Sequence, residues 1–397
     1  MNILAQHGFG DGTKIEAGLG HGLIQGAIIS PRDIKLSSLK AKIESWKTVQ
    51  PDCHILFDPQ FYASLIAQEP GARLGNLSAE YSAYFAPKQY KDIRREKKIA
   101  VEIQSVIEFQ QNELGLSEFI LPGIMIQDGL LSESASIAKL FLEVGDEFTQ
   151  SKNIHQHSWH TLVLGKSCFR NIRYLEDLVD EITGYGLEVQ GFYLLAETTR
   201  SSESNPWFDA DVLLGQMYLT YALTQAGYKV INGYSMLPAT YLAAVGSDTT
   251  SSGWFDTLRY FSLDRYREQS GGGKRPNRRY FSKALWSRLD MASISAYLDR
   301  YGWILNGYDD DAKFKEGEAN DTDEVLQHWH AVQLACNEVV SKSSIEERIQ
   351  FLMAELTVAE QYRSRLLTLS MPHFQEQVAQ CRSALHRFAE LAEISLG

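Results

Sequence analysis

Several short runs in the sequence end on residues that can do chemistry. HILFD closes on Asp58, FILPGIMIQD on Asp128, WHTLVLG on Gly165, LEVQGFYLLAE on Glu197 and LAAVGSD on Asp248. If the runs are parallel strands, their carboxyl ends share one rim, which is where barrel and doubly wound folds gather catalytic groups. A rim bearing Asp58, Asp128, Glu197 and Asp248 suits a metal site, an acid/base pair or a base-recognition site. For the last of these, a carboxylate accepts two adjacent donors in bidentate fashion, and the N1–H and exocyclic amine of a guanine edge are such a pair. Each Asp is equally able to cap the helix that follows its strand.

Other groups carry less. His155, His157 and His160 in NIHQHSWH precede a strand, which puts them at the amino end, away from the rim. The glycines of HGFGDG (7–12) and GLGHG (18–22) resemble phosphate cradles loosely, but follow no recognised strand and lack the lysine and hydroxyl of a P-loop. They are read as an amino-terminal lid. Lys166 and Ser167 follow Gly165 and open a helix. The basic island DRYREQSGGGKRPNRRYFSK (264–283) holds Arg265, Arg267, Lys274, Arg275, Arg278, Arg279 and Lys283 around glycines, with Tyr266, Tyr280 and Phe281 among them. It is either a solvated loop or a contact for phosphate, single-stranded nucleic acid or a protein partner, with Arg275, Arg278 and Arg279 at its centre. Cys53, Cys168, Cys336 and Cys381 are far apart and form no CxxC pair, so neither a zinc site nor a disulfide framework is expected. No metal and no cofactor is called for.

The elements that must position these groups alternate. LIQGAIIS (23–30), HILFD (54–58), FILPGIMIQD (119–128), WHTLVLG (159–165), LEVQGFYLLAE (187–197), YKVING (228–233) and LAAVGSD (242–248) read as strands buried on both faces, and YGWILNG (301–307) as an eighth. Between them lie helical patterns: RNIRYLEDLVDEITGYG aligns Ile172, Leu175, Leu178, Val179 and Ile182, with Gly184 and Gly186 as stops, and FDADVLLGQMYLTYALTQAGY stops at Gly227. Repeated strand–helix units predict an α/β fold, a TIM-type (β/α)8 barrel. The chain divides into a barrel over residues 1–323, with a helical insertion near 88–114 and the basic loop at 264–283, and a helical carboxyl-terminal extension over 324–397, in which Pro372 separates two long helices. At 397 residues, 44% hydrophobic and 22% charged, the chain is long enough for one large core. Its net charge of -12 opposes broad attraction to nucleic acid and confines any such contact to a local patch. No run approaches a membrane span and the start lacks a secretory signal, so a cytoplasmic location is expected.

The order of these motifs resembles the tRNA-guanine transglycosylases, the queuine and archaeosine enzymes, which are TIM barrels. ILFDPQFYA is similar to their Asp-Ser-Gly-Gly-Tyr/Phe-Gln motif, which implies an acid/base role for Asp58 and base stacking for Tyr62; Pro59-Gln60-Phe61 replaces Ser-Gly-Gly. IMIQDG resembles the strand whose Asp reads the guanine edge, here Asp128. LVLGKSCFRNIR keeps Gly165 but has Leu164 at the base-reading Gln position, and GFYLLAE keeps Gly191 and Glu197. GYSMLPATYLAAVGSDTTSSGW is similar to the stretch that ends in Gly-x-Asp-x-Phe-Asp-Ser. Gly246 and Asp248 match, and the family's covalent Asp falls on Ser251. QHWHAVQLACNEVV (327–340) resembles a His-Asn-containing helix. The family's Cys-x-Cys-x-x-Cys zinc site is absent.

The resemblance implies a divergent, zinc-less member over residues 20 to 345. Its catalytic positions are Asp58, Asp248 and Ser251, and its substrate-binding positions are Asp58, Tyr62, Asp128, Gly165, Gly191 and Glu197. A serine without an adjacent base makes a poor substitute for a carboxylate at an oxocarbenium-like centre. The expected function is therefore binding of a guanine or 7-deazaguanine base with lost or altered exchange. Zinc-less relatives occur in type IV CBASS anti-phage operons, where the partners would be a deazaguanine-modified protein, a QueC-like enzyme or a nucleotidyltransferase. The competing expectations are an active guanine or 7-deazaguanine transglycosylase on tRNA or DNA, and a metal-dependent hydrolase using the carboxylate rim.

Overall fold

The computed structural model describes residues 1–198, 209–236, 238–268, 278–366, 371 and 374–396. Its centre is a parallel sheet: β1 (Asn2–Gln6), β2 (Gly26–Ile29), β3 (His54–Phe57), β4 (Phe119–Ile120), β5 (Met125–Ile126), β6 (Ser158–Leu164), β7 (Gly191–Ala196), β8 (Lys229–Asn232) and β9 (Thr249–Ser252). The order is β3-β2-β1-β9-β8-β7-β6-β4, and β5 pairs with β6 further along the same barrel position as β4. The eight positions form a nearly closed α/β barrel of the TIM type. Pro122 and Gly123 cause the break between β4 and β5. Proline cannot donate to a ladder, and a side chain at Gly123 would meet the Thr161 carbonyl at 2.7 Å. Every residue of β6 and β7 is buried, which explains the apolar runs Leu162–Leu164 and Phe192–Ala196; the polar side chains of β6 are satisfied internally where Ser158 donates to the Ile154 carbonyl and Thr161 to the Leu121 carbonyl.

The helices obey the same logic. Ile172–Gly184 buries Leu175, Leu178 and Ile182 against the sheet, and Gly186 takes the left-handed conformation past its end, at φ +61°. Ala210–Gln225 begins at Asp209, whose carboxylate accepts the Asp211 and Val212 amides at 3.1 and 3.3 Å. Glu96–Glu108, within the stretch read as an insertion, fills the place of the barrel helix between β3 and β4. The helix Asp321–Val340 spans the boundary placed at residue 323. It belongs to the barrel wall: Trp329 packs on Gly18 and its indole N–H donates to the Ser252 carbonyl at 2.9 Å. Helices Ile345–Ser364 and Phe374–Leu391 follow, and the second lies on Ala210–Gln225 through Arg387 and Asp211 at 2.6 Å. Pro372 lies outside the described residues. Among the described residues no helix is long and apolar enough to cross a membrane.

Two strands differ from expectation. LAAVGSD is the end of a helix, Pro238–Ala244, and its turn; the strand is the next segment, TTSS of β9. YGWILNG holds only a helical turn, Gly302–Ile304, and the missing strand is β1. HGFGDG therefore does follow a strand, and leads into the helix Lys14–Gly20. After β9 the chain adds a hairpin, β10 (Arg279–Ser282) with β11 (Ser287–Asp290), before the wall helix.

The register also moves two residues away from the rim. Gly191 opens β7 at its amino end, where a Cβ would lie 2.0 Å from the Lys229 carbonyl. Asp248 precedes β9 and braces the same lower face, its carboxylate accepting the Val230 amide at 3.0 Å and its carbonyl the Asn2 amide at 3.1 Å. Gly191→Ala must push β7 from β8, and we expect it to cost roughly 1–3 kcal/mol in urea denaturation, with ligand affinity per folded molecule unchanged.

Candidate active site at the barrel mouth

The carboxyl end of β3 delivers Asp58 into the barrel mouth. Its amide continues the ladder to the Ile29 carbonyl at 3.1 Å, and Gln60 turns the chain back in the left-handed conformation at φ 52°. That turn lets the Gln60 amide donate to Asp58 Oδ1 at 2.9 Å. Asp58 Oδ2 accepts the hydroxyls of Tyr62 at 2.8 Å and Tyr193 at 3.3 Å. The side chain is wholly buried, which pushes its pKa up to about 6 against the opposing pull of these donors and of Arg265. Tyr62 and Tyr193 are held far above their usual range by burial and by Asp58, so both stay protonated and donate.

From Asp58 a hydrogen-bonded chain crosses the mouth. Gln60 Nε2 donates to Ser30 Oγ at 2.7 Å, and Ser30 Oγ donates to Asp33 Oδ2 at 2.7 Å. Asp33 is ion-paired with Arg265, and Arg265 donates to the Tyr234 hydroxyl at 3.0 Å. Loops after β2, β3, β8 and β9 are thereby joined.

The loop after β9 also closes the mouth from above. Phe261 pairs with Glu197 at the end of β7, and its carbonyl accepts the Thr198 amide at 2.8 Å. The Phe261 ring stands edge-on to Tyr62 at 5.1 Å and tilted to Tyr234 at 5.6 Å, and Tyr266 meets Tyr62 at 6.0 Å. Asp58, Tyr62, Tyr193, Phe261 and Tyr266 are all buried. The face on which Tyr62 was expected to stack a base is covered by the chain's own aromatics. Glu197 sits at this seam, half-buried, and burial raises its pKa.

Ser251 lies inside the barrel. Its hydroxyl donates to Gln6 Oε1 at 2.7 Å and accepts the Tyr234 amide at 3.1 Å. No carboxylate replaces it there: Asp248 is on the lower face. Asp128 is on the rim but exposed, near Tyr90 and Cys168 rather than in the Asp58 network. Gly165 packs on the end of β5, its amide donating to the Ile126 carbonyl at 2.8 Å. The rim therefore unites Asp58 with Tyr62, and holds Asp128 apart from them.

Outside the seal is an open cavity of about 230 Å³, between the loops after β1, β2, β3 and β9. Arg32, Arg73 and Arg265 line it with the single acid Asp33, and Phe9 and Phe255 stand at its lip, 74% and 42% exposed. Of these only Arg265, as a member of the basic island, was named from the sequence. The SPRD that ends β2 was the available signal, because polar residues at a strand end face the mouth. On the far side, a space of about 30 Å³ between the ends of β7 and β8 is lined by Thr198, Tyr234 and Arg259, room for about one water.

The basic island is mostly neutralised where it is described. Arg265 pairs with Asp33, Arg267 with Glu69, Lys283 with Glu338, and Arg278 stands 4.0 Å from Asp321. Arg279 opens β10, beside the Asp256 carboxylate. Lys274 and Arg275 lie outside the described residues. His155 and His157 form a turn ahead of β6; His160 is buried within it, its pKa lowered to about 3 by that burial. Among the described residues no group of three or more His, Cys, Asp or Glu side chains could hold a metal ion.

Fold and site together define an α/β barrel with a sealed carboxylate beneath a cationic mouth. The sequence matches no family profile and no curated protein.

The raised pKa of Asp58 makes a pH prediction. The folded value of about 6 lies above the unfolded value of about 3.9, so the fold favours the protonated acid. Its contribution to stability is complete below pH 4 and is lost as pH rises through 6. In denaturant titrations the wild type should lose up to about 3 kcal/mol between pH 4 and 6 relative to Asp58→Asn. Parallel curves for the two proteins would show that Asp58 stays ionised.

Proposed function

We infer that this barrel binds a planar guanine or 7-deazaguanine-type base at the open side of its mouth and does not exchange it. The observation that carries this is the state of the two reactive positions. Asp58 is wholly buried behind Tyr62, on which Phe261 and Tyr266 pack, and the position of the covalent carboxylate in the resemblance is Ser251, committed to Gln6 and the Tyr234 amide. Neither group can attack a sugar carbon outside the seal. The cavity beyond it offers what binding needs, namely exposed rings at Phe9 and Phe255, since stacking on an aromatic face is worth about 1–3 kcal/mol per base. The choice of a guanine-type base rests on the motif order around Asp58, Asp128, Gly165 and Glu197. The same reading extends to a deazaguanine carried on a protein, as in an anti-phage accessory role with a QueC-like or nucleotidyltransferase partner.

Calorimetry with 7-cyano-7-deazaguanine and guanine tests it. We expect binding that weakens roughly tenfold in Phe255→Ala and persists in Asp128→Ala. The reverse pattern would move the base to the β5 rim, and no binding of either base would end the proposal. Labelled guanine should not enter tRNA or DNA; incorporation would establish the transglycosylase reading instead.

A further inference from the structure

We propose that the mouth cavity seats the phosphate of a nucleotide, so that the ligand is a nucleoside 5′-phosphate and not a free base. The inference rests on the base-binding reading for the heterocycle, but its own ground is a count of donors. A guanidinium carries five N–H donors. Arg32 spends three, on the Arg73 carbonyl, Asp33 and the Arg265 carbonyl. Arg265 also spends three, on Tyr234, Ser30 and Asp33. Among the described residues two donors remain without a partner on each. Arg73 is tied to Tyr266 only through its backbone amide, at 2.8 Å, and its guanidinium has no bond to any described residue.

Charge agrees with the count. Three arginines face one carboxylate around the cavity, and Asp33 is already engaged by Arg32, Arg265 and Ser30. The excess is two positive charges in a chain whose net charge is -12, a local reversal that a dianionic phosphate would neutralise. The cations are also placed in advance. Arg265 is nearly buried, and Arg32 is about one-fifth exposed and stands over the Tyr266 ring at 5.7 Å, so little side-chain entropy is left to lose on binding. Fixed guanidinium forks match phosphate oxygens better than mobile lysines do. Phe9 and Phe255 share the cavity wall with these arginines, which puts a stacking surface and an anion seat within the span of one mononucleotide.

The experiment compares guanosine, guanosine 5′-monophosphate and ribose 5-phosphate by calorimetry, on the full chain and on Arg73→Glu. Arg73 is exposed, so its replacement leaves the buried network intact. The expected result is that the nucleotide binds roughly tenfold or more tightly than the nucleoside, and that Arg73→Glu removes this gain while leaving guanosine binding unchanged. Nucleotide and nucleoside binding alike would overturn the phosphate seat and leave the base reading standing. Ribose 5-phosphate binding as tightly as the nucleotide, and lost in Arg73→Glu, would uphold the seat and overturn the base reading. Binding of none of the three would overturn both.

Discussion

The Arg265 guanidinium is the interaction on which the rest of the mouth depends. It is nearly buried, yet it keeps its charge because the Asp33 carboxylate that pairs with it and the Tyr234 hydroxyl that accepts its N–H outweigh the penalty of burial. A buried cation is tolerated only when such partners converge. Here they come from β2 and β8 as well as from its own loop, so satisfying one charge fixes the loops relative to one another. The loop that carries Arg265 also carries Phe261 and Tyr266, and docking the arginine lays both rings against Tyr62, the hydrogen-bond partner of Asp58. The seal and the cationic cavity are thus two faces of a single arrangement.

A second charged network supports that loop from outside. Arg259 is fully buried, its Nε donating to the Gly253 carbonyl at 2.7 Å, and burial with the nearby Arg288 lowers its pKa to about 9. Arg288 bonds Asp256 at 2.9 Å and Glu324 at 3.0 Å, with Arg259 within 4.0 Å of both acids. Asp256 belongs to the loop after β9, Arg288 to β11 and Glu324 to the wall helix. The hairpin inserted after β9 therefore acts as a brace, and the closing loop is held at both its start and its end.

Much of the barrel was legible because parallel strands buried on both faces leave apolar runs, as at 54–58, 159–165 and 187–197. The two strands that escaped did so for physical reasons. β9 is TTSS, with no aliphatic residue, since its hydroxyls face polar partners: Thr250 the Asn232 carbonyl, Ser251 Gln6, and Ser252 His328. The apolar LAAV just before it is a buried helix end, which periodicity cannot separate from a strand over so few residues. Asp58 and Tyr62 could be found as neighbours because a tight turn joins them. Tyr193, Tyr234 and Arg265 could not, because only barrel closure brings residues so distant in sequence to one carboxylate. Asp248 was misplaced as a consequence of the strand error: shifting the strand from 242–248 to 249–252 turns a rim residue into one on the lower face.

The surroundings of Ser251 would suit a carboxylate. The Ser251 oxygen receives the Tyr234 amide, and beside it the Gln6 amide nitrogen is buried with no hydrogen-bond partner. Reversing the Gln6 amide would give an anion at this position two donors, the kind of cradle that holds a buried carboxylate ionised. Access to such a position is then a matter of the aromatic layer at the mouth. Phe261 and Tyr266 pack against Tyr62 at the mouth, and any displacement chemistry requires the reacting atoms to approach within about 3–3.5 Å. The loop that carries both rings is held by Arg265, so the guanidinium that lines the cationic cavity also keeps the aromatic layer in place. One docked loop therefore sets both the charge of the open cavity and the closure of the carboxylate network behind it.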